Sequence, residues 1–264
     1  MIFPLIKQNI KSCIKPLLIV WAVIMMYTSI IIYMYNPEFS RMLTEYQKIM
    51  PGIMDAMGMS GIAENLVQWM GIYLYGFIMT AFPMIFSIIA ANSLMMKYID
   101  SGSVCALLTS GRTRRQIVLT QAACAVVFVL VLFVLSTAGG VVCTRIMFSG
   151  QLDINLYIQL NFSCMLMQLM VMSISFAAAC FSSESKQFYT LGAGLPVAFY
   201  IADMAANMGG KAENVKYLTP YTLFDAVKIT AGESAAVQNV AMAVISLVLL
   251  RGAAMYFEKR DLSV

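Results

Sequence analysis

The sequence predicts an all-α integral membrane protein: six transmembrane helices, an N-terminal amphipathic interfacial helix, and a short cytoplasmic helix between spans two and three. Three observations carry this prediction. Of the 264 residues, 61% are hydrophobic and 11% charged, with a mean hydropathy of +0.80, far from the roughly half apolar, quarter charged make-up of a soluble domain. Several apolar runs approach or exceed the roughly twenty helical residues that cross a ~30 Å hydrocarbon layer. Lys and Arg gather in the loops on one side of the resulting topology. Even the longest loops are too short for a sizeable folded domain, so residues 1–264 read as a single transmembrane domain.

Composition also excludes several functions. A net charge of +4, scattered along the chain, gives no nucleic-acid surface. The six cysteines sit mostly inside apolar segments without a C-x-x-C pair, so they read as small packing residues rather than disulfides or metal ligands. Histidine is absent, which removes imidazole bases and His-ligated metal sites. No phosphate-binding G-x-x-x-x-G-K-[ST] loop occurs, so ATP driving this protein must be bound by another chain. The N-terminal apolar run lacks a small-residue cleavage site and is long enough to stay in the membrane.

Taken in order, residues 1–15 place Lys7, Lys11 and Lys15 four apart on one helical face, opposite Ile2, Ile6, Ile10, Cys13 and Ile14. This suits a helix lying in the membrane surface with its ammonium groups toward anionic headgroups; the plainer alternative is a basic flank to the first span. Pro16 then bends the path inward, and the first span covers about residues 17–35. Asn36 to Gln68, with Pro37, Pro51, Gly52, Gly58 and Gly61, reads as a loop outside the bilayer. The second span covers about residues 69–96, with Trp69, Tyr73 and Tyr75 as interface anchors at its outer end and a kink at Pro83.

The third span covers about residues 116–148, with Gly139 and Gly140 toward its end, and the fourth about residues 155–181. Gln159, Asn161 and Gln168 in the fourth are costly in lipid unless they face other helices or a wet path. The fifth, residues 188–207, holds Gly192, Gly194 and Pro196, where backbones can approach or the helix can break. Asp203 lies toward its far end. Tyr217 to Tyr221, followed by Leu223, Phe224, Val227 and Lys228, fits a short helix resting at the interface. The sixth span covers about residues 234–257, and Glu258 to Asp261 return to water.

The loop from Lys97 to Gln121 is the centre of the reading. Ser101 or Ser103 can cap a short helix, Gly111 is suited to end it, and Val104, Leu107 and Leu108 form an apolar stripe between those limits. Thr113 then caps the next helix, whose first turn carries Arg114 and Arg115. Lys7, Lys11, Lys15, Lys97, Arg112, Arg114, Arg115, Lys186, Arg251, Lys259 and Arg260 fall on one face of this topology. Arg41, Lys48, Arg145, Lys211, Lys216 and Lys228 fall on the other. The positive-inside rule makes both termini and this loop cytoplasmic, as in the plasma membrane.

In this layout the chain resembles the membrane subunit of ABC-2-type (type V fold) ABC transporters. Asp100-x-Gly102, Leu107-Leu108-Thr109-Ser110 and Arg112 to Arg115 are similar to the acidic, glycine, leucine-pair and arginine pattern between spans two and three of that family. Leu218-Thr219-Pro220-Tyr221 with Leu223-Phe224 looks like its proline–aromatic segment before the last span. Phe257-Glu258-Lys259-Arg260-Asp261-Leu262 is similar to its ending. Gly111 departs from the pattern, standing where many relatives carry proline.

The resemblance implies an ATP-driven permease without a nucleotide site or cofactor of its own. Two copies of a separate ATPase subunit would hold ATP and Mg, and a second permease subunit, identical or homologous, would complete the complex. It also implies that the short cytoplasmic helix is a coupling helix that docks in a groove of the ATPase. Asp100, Gly102, Leu107, Leu108, Arg112, Arg114 and Arg115 would carry that role, with the Lys7, Lys11 and Lys15 helix beside them. The bland account of the arginines is that they only enforce topology. Asn161, Gln168 and Asp203 are expected to line a substrate pathway, against interhelical hydrogen bonding for the first two and proximity to outer headgroups for the third. An apolar bundle of few charges suits export of an amphipathic cargo such as a peptide, lipid-like molecule or drug. The alternative is a non-transporting sensor or immunity subunit that binds an extracellular peptide; an intramembrane carboxylate protease lacks the paired acids it would need.

Overall fold

The computed structural model describes residues 2–36, 51–59, 61, 63–109, 111–148 and 150–260. Much of the expected loop from Asn36 to Gln68, including Arg41 and Lys48, lies outside the described residues, as do Ser110, Asp261 and Leu262. All regular elements among the described residues are helical. Six helices are long and apolar enough to cross a membrane: Phe3–Tyr33, Ile78–Asp100, Arg114–Met147, Ile154–Phe181, Ser185–Asn207 and Ala236–Lys259. They are called spans one to six. The chain is therefore a multi-pass helical bundle, as its apolar runs predict.

Span four is the axis. The central windows of spans two, three and four are 67%, 61% and 78% buried, against 28%, 22% and 28% for spans one, five and six. The inner three thus pack against protein while the outer three present Leu18, Ile19, Ile201, Val237, Val240 and Leu247 outward, as lipid contact requires. Asp153 caps span four by accepting from the Leu156 N–H at 3.1 Å.

Span one differs from expectation. A surface helix over residues 1–15 followed by a turn at Pro16 is replaced by one continuous helix of 31 residues. The buried stripe Leu5, Asn9, Cys13, Leu17, Val20, Ile24, Thr28 and Ile32 keeps its phase through Pro16, so packing against neighbouring helices outweighs the backbone hydrogen bond that proline removes. At 1.5 Å per residue the helix is about 46 Å long, more than the hydrocarbon layer. Lys7, Lys11 and Lys15 remain exposed along one face of its first turns.

The second span differs too. The expected run over residues 69–96 is two elements: a short helix, Leu66–Tyr73, and span two from Ile78 onward. The turn between them holds Gly76, where a Cβ would lie 2.7 Å from the Gly58 carbonyl oxygen and 2.8 Å from that of Ile72; only glycine permits that approach. Trp69 and Tyr75 are 2% and 1% exposed, so they are core residues and not headgroup anchors. The Trp69 indole donates to the Ile31 carbonyl at 2.8 Å. The helix expected around Leu223 to Lys228 is Ala226–Thr230. It buries Ala226, Ile229 and Thr230 against Leu66–Tyr73 and span four instead of lying on the surface.

Spans two and five are both irregular, and span four repairs both. Pro83 has no N–H for the Met79 carbonyl. Gln168 Nε2 donates there at 3.4 Å and to the neighbouring Thr80 carbonyl at 2.8 Å, and Cys164 Sγ adds a 3.5 Å contact to Met79. Pro196 likewise leaves the Gly192 carbonyl unpaired, and Ser175 Oγ donates to it at 2.7 Å. In the hydrocarbon layer a freed carbonyl is tolerated where a neighbouring helix supplies a donor. Each span also carries a π-helical stretch, Asn92–Met96 and Tyr189–Ala193, joined by Asn92 Nδ2 donating to the Tyr189 hydroxyl at 3.2 Å.

Candidate functional site

The hairpin between spans two and three closes one end of the bundle. Its helix is Ser103–Thr109, set off by Gly102 and Gly111 at φ +66° and +77°, a left-handed conformation that glycine adopts at little cost. The Ser101 hydroxyl donates to the Lys97 carbonyl at 2.7 Å and shares a 2.7 Å contact with the Ser103 hydroxyl. Thr113 caps span three as expected. Its side chain accepts from the Gln116 N–H at 3.2 Å, and Gln116 Oε1 accepts from the Thr113 N–H at 3.4 Å, a reciprocal box.

The hairpin's leucines face the bundle. Val104 is buried, and Leu107 and Leu108 pack half-buried against Ile2, Leu5 and Ile117, with Tyr98 beside them. The N-terminal turns of span one cover the bundle side of this stripe, and Leu107 and Leu108 keep part of their surface outward. Gly102, Thr109, Gly111, Arg112 and Arg115 are exposed.

Two expected residues, exposed Asp100 and half-buried Arg114, tie the hairpin to neighbouring spans. Asp100 accepts from the Ser185 N–H at 3.2 Å and from its hydroxyl at 2.8 Å, joining the end of span two to the start of span five. Arg114 donates through Nη1 to the Arg260 carbonyl. The Arg260 guanidinium in turn donates to the carbonyls of Cys180 and Ser182, both at 2.8 Å, and to the Ser183 hydroxyl. A positive group on the last carbonyls of span four complements both their unpaired oxygens and the helix dipole. Arg114, Arg260 and the C-terminus of span four thus form one chain of contacts.

A buried polar knot lies just inside. Asn9, fully buried on span one, donates through Nδ2 to Gln121 Oε1 at 2.5 Å and to Cys124 Sγ at 3.4 Å. The Tyr98 hydroxyl donates to Asn9 Oδ1 at 3.4 Å. Spans one, two and three therefore meet at one asparagine. Its signal in the sequence was a lone amide on the apolar side of the lysine-bearing helix; Gln121 was a lone amide one turn beyond Ile117.

The three expected pathway residues separate. Asn161 is 4% exposed and donates to the Tyr157 carbonyl at 2.8 Å within its own helix. Gln168 is fully buried and serves the carbonyls around Pro83. Both donate to carbonyls within this chain. Asp203, half-buried, lines a cavity of about 630 Å³ at the opposite end of the bundle, together with Tyr75, Thr80, Tyr221 and Asp225.

Among the described residues, no group of three or more Cys, Asp or Glu side chains is arranged to hold a metal ion. These features define the chain as a multi-pass helical membrane protein. No family model, curated protein or solved structure matches it.

Proposed function

We propose that the chain is the membrane-spanning subunit of an ATP-driven exporter of the ABC-2 type, moving an amphipathic cargo outward with a separate ATPase. The observation that carries this reading is the double anchorage of the hairpin, through Asp100 to Ser185 and through Arg114 to Arg260. A push on a free loop is lost as local motion. A push on this one is delivered to spans two, three, five and six, and through Arg260 to the end of span four. An ATPase that changes shape on binding ATP can drive such a bundle if its docking favours one of two arrangements.

In this reading the docking face is the polar side of the hairpin, Gly102, Thr109, Arg112 and Arg115, with Lys7, Lys11 and Lys15 alongside. Leu107 and Leu108 hold the hairpin in place, as Asp100 and Arg114 do. The termini and hairpin are cytoplasmic, ATP and Mg sit on two ATPase copies, and a second permease subunit stands beside this one. The test is co-purification with a co-expressed ATPase partner, followed by ATP turnover. Arg112→Glu with Arg115→Glu is expected to abolish assembly while leaving the permease folded. Unchanged assembly and turnover would remove the docking assignment.

A further inference from the structure

The cavity at the far end of the bundle has the volume and lining of a ligand site. At about 630 Å³ it falls within the roughly 300–1,000 Å³ of small-molecule pockets. Its charges are not balanced. Lys228 Nζ lies 3.1 Å from Asp225 Oδ2, so those two neutralise each other. Lys216 sits 5.4 Å above the Tyr217 ring. Asp203 has no cation beside it among the described residues; its partner is Asn207, whose Nδ2 donates to Oδ2 at 3.4 Å.

A second observation is independent of charge. Tyr221 lines the same cavity and is 3% exposed, yet its hydroxyl has no hydrogen-bond partner; Tyr75 beside it turns its hydroxyl toward Tyr157 and Asn161. Buried hydroxyls in folded proteins are nearly always satisfied, so the missing partner belongs to whatever fills the space. Burial, with Tyr200 and then Asp203 reinforcing it, pushes the Tyr221 phenol up, and it stays a neutral hydroxyl. A compact divalent ion does not suit the site, because the acids do not converge into a ligand set. An organic ammonium does: it needs one carboxylate, a phenol oxygen to accept from an N–H group, and an aromatic face for its carbon stem to lie against.

We propose that this cavity binds an organic ammonium group, with the Asp203 carboxylate as counter-charge and the hydroxyl of Tyr221 as its floor. It rests on the exporter reading only in making that group part of the cargo; binding itself is read on the isolated chain, so failure here and failure of ATPase docking are separate results. The group can come from a soluble amine or from an aminophospholipid headgroup at the bilayer boundary, and the experiment distinguishes them.

The full chain is reconstituted in phosphatidylglycerol nanodiscs and titrated by calorimetry with hexylamine, charged at neutral pH, and with hexanol, its neutral counterpart. Hexylamine is expected to saturate a site and hexanol to bind at least tenfold more weakly. Asp203→Asn is expected to weaken hexylamine at least tenfold and Tyr221→Phe about threefold. Adding phosphatidylethanolamine to the discs competes if the headgroup is the natural source; absence of competition assigns the site to a soluble amine. Equal binding of hexanol, or an unchanged hexylamine affinity in Asp203→Asn, overturns the proposal. The amine–alcohol contrast on the unaltered chain decides the matter even if a variant does not fold.

Discussion

Asp100 and Ser185 are joined by two hydrogen bonds, 3.2 Å from the Ser185 N–H and 2.8 Å from its hydroxyl, across 85 residues of sequence. The carboxylate at the end of span two thereby serves the first turn of span five, where backbone N–H groups lack partners and a negative charge is favoured. Asp100 is exposed and Ser185 half-buried, so the link acts through position more than through stability. Asp100→Ala removes both bonds and Ser185→Ala only one, so the first is expected to cost more, with a coupling of about 0.5–1 kcal/mol in a double-mutant cycle. Thermal unfolding of the four proteins in detergent measures it, and simple additivity would show that the contact is idle.

Arg260 is a stronger fastener, since one guanidinium reaches the Cys180 and Ser182 carbonyls together. Arg260→Ala is expected to lower stability by about 1–3 kcal/mol, the range for hydrogen bonds from a charged donor. Arg260→Lys is expected to recover less than half of that, because an ammonium on a flexible stem cannot reproduce the planar donor. Full recovery in the lysine variant would mean that charge alone matters.

Span three approaches span four closely enough that a methyl at Gly140 would overlap the Tyr157 hydroxyl. In a membrane such small-residue contacts replace the hydrophobic effect as the source of helix association. Gly140→Ala is expected to destabilise by about 1–3 kcal/mol, the usual cost of overpacking. Combining it with Tyr157→Phe, which clears the offending oxygen, is expected to cost less than the two changes summed. A stability of Gly140→Ala equal to the parent would deny the close contact.

The proposed sidedness rests on the charge distribution and has its own test. A cysteine placed at exposed Arg112 is expected to react with a membrane-impermeant maleimide only when the reagent reaches the cytoplasmic face. Of the six native cysteines, Cys13, Cys124, Cys164 and Cys180 are buried, so the labelling is read in a chain whose Cys105 and Cys143 are replaced by serine. Labelling of Arg112→Cys from outside intact cells would invert the topology and remove the ATPase from consideration.

What the sequence made legible was set by physics that is local. Run length above twenty apolar residues is enough to place a crossing, and Thr113 with Gln116 three residues later is enough to start span three. The break before Ile78 was hidden because Trp69 to Met96 is apolar on both sides of it; hydropathy counts residues and does not see that Gly76 admits another backbone. The hairpin stripe at Val104, Leu107 and Leu108 was visible, but the partner it faces was not. Whether an amphipathic helix turns its apolar side to its own chain or to a second protein depends on Ile2 and Leu5, about a hundred residues away. The amides of span four are the same case. A buried amide announces that it needs a partner, and only the fold reveals that Gln168 finds it at Thr80.

That last contact yields the sharpest test, because the need and its remedy can be removed separately. Gln168 Nε2 donates to the Met79 and Thr80 carbonyls beside the gap that Pro83 leaves in the helix ladder. Gln168→Leu retains bulk but strips the donor, and at a fully buried position this is expected to cost about 1–3 kcal/mol. Pro83→Ala restores an N–H four residues after Met79, so the Met79 carbonyl regains a partner within its own helix. Gln168→Leu with Pro83→Ala is therefore expected to be more stable than Gln168→Leu alone, although Pro83→Ala by itself changes little. If the double variant is as damaged as the single one, the glutamine is there for some purpose other than repairing the proline, and a role along a substrate path returns as the leading account of it.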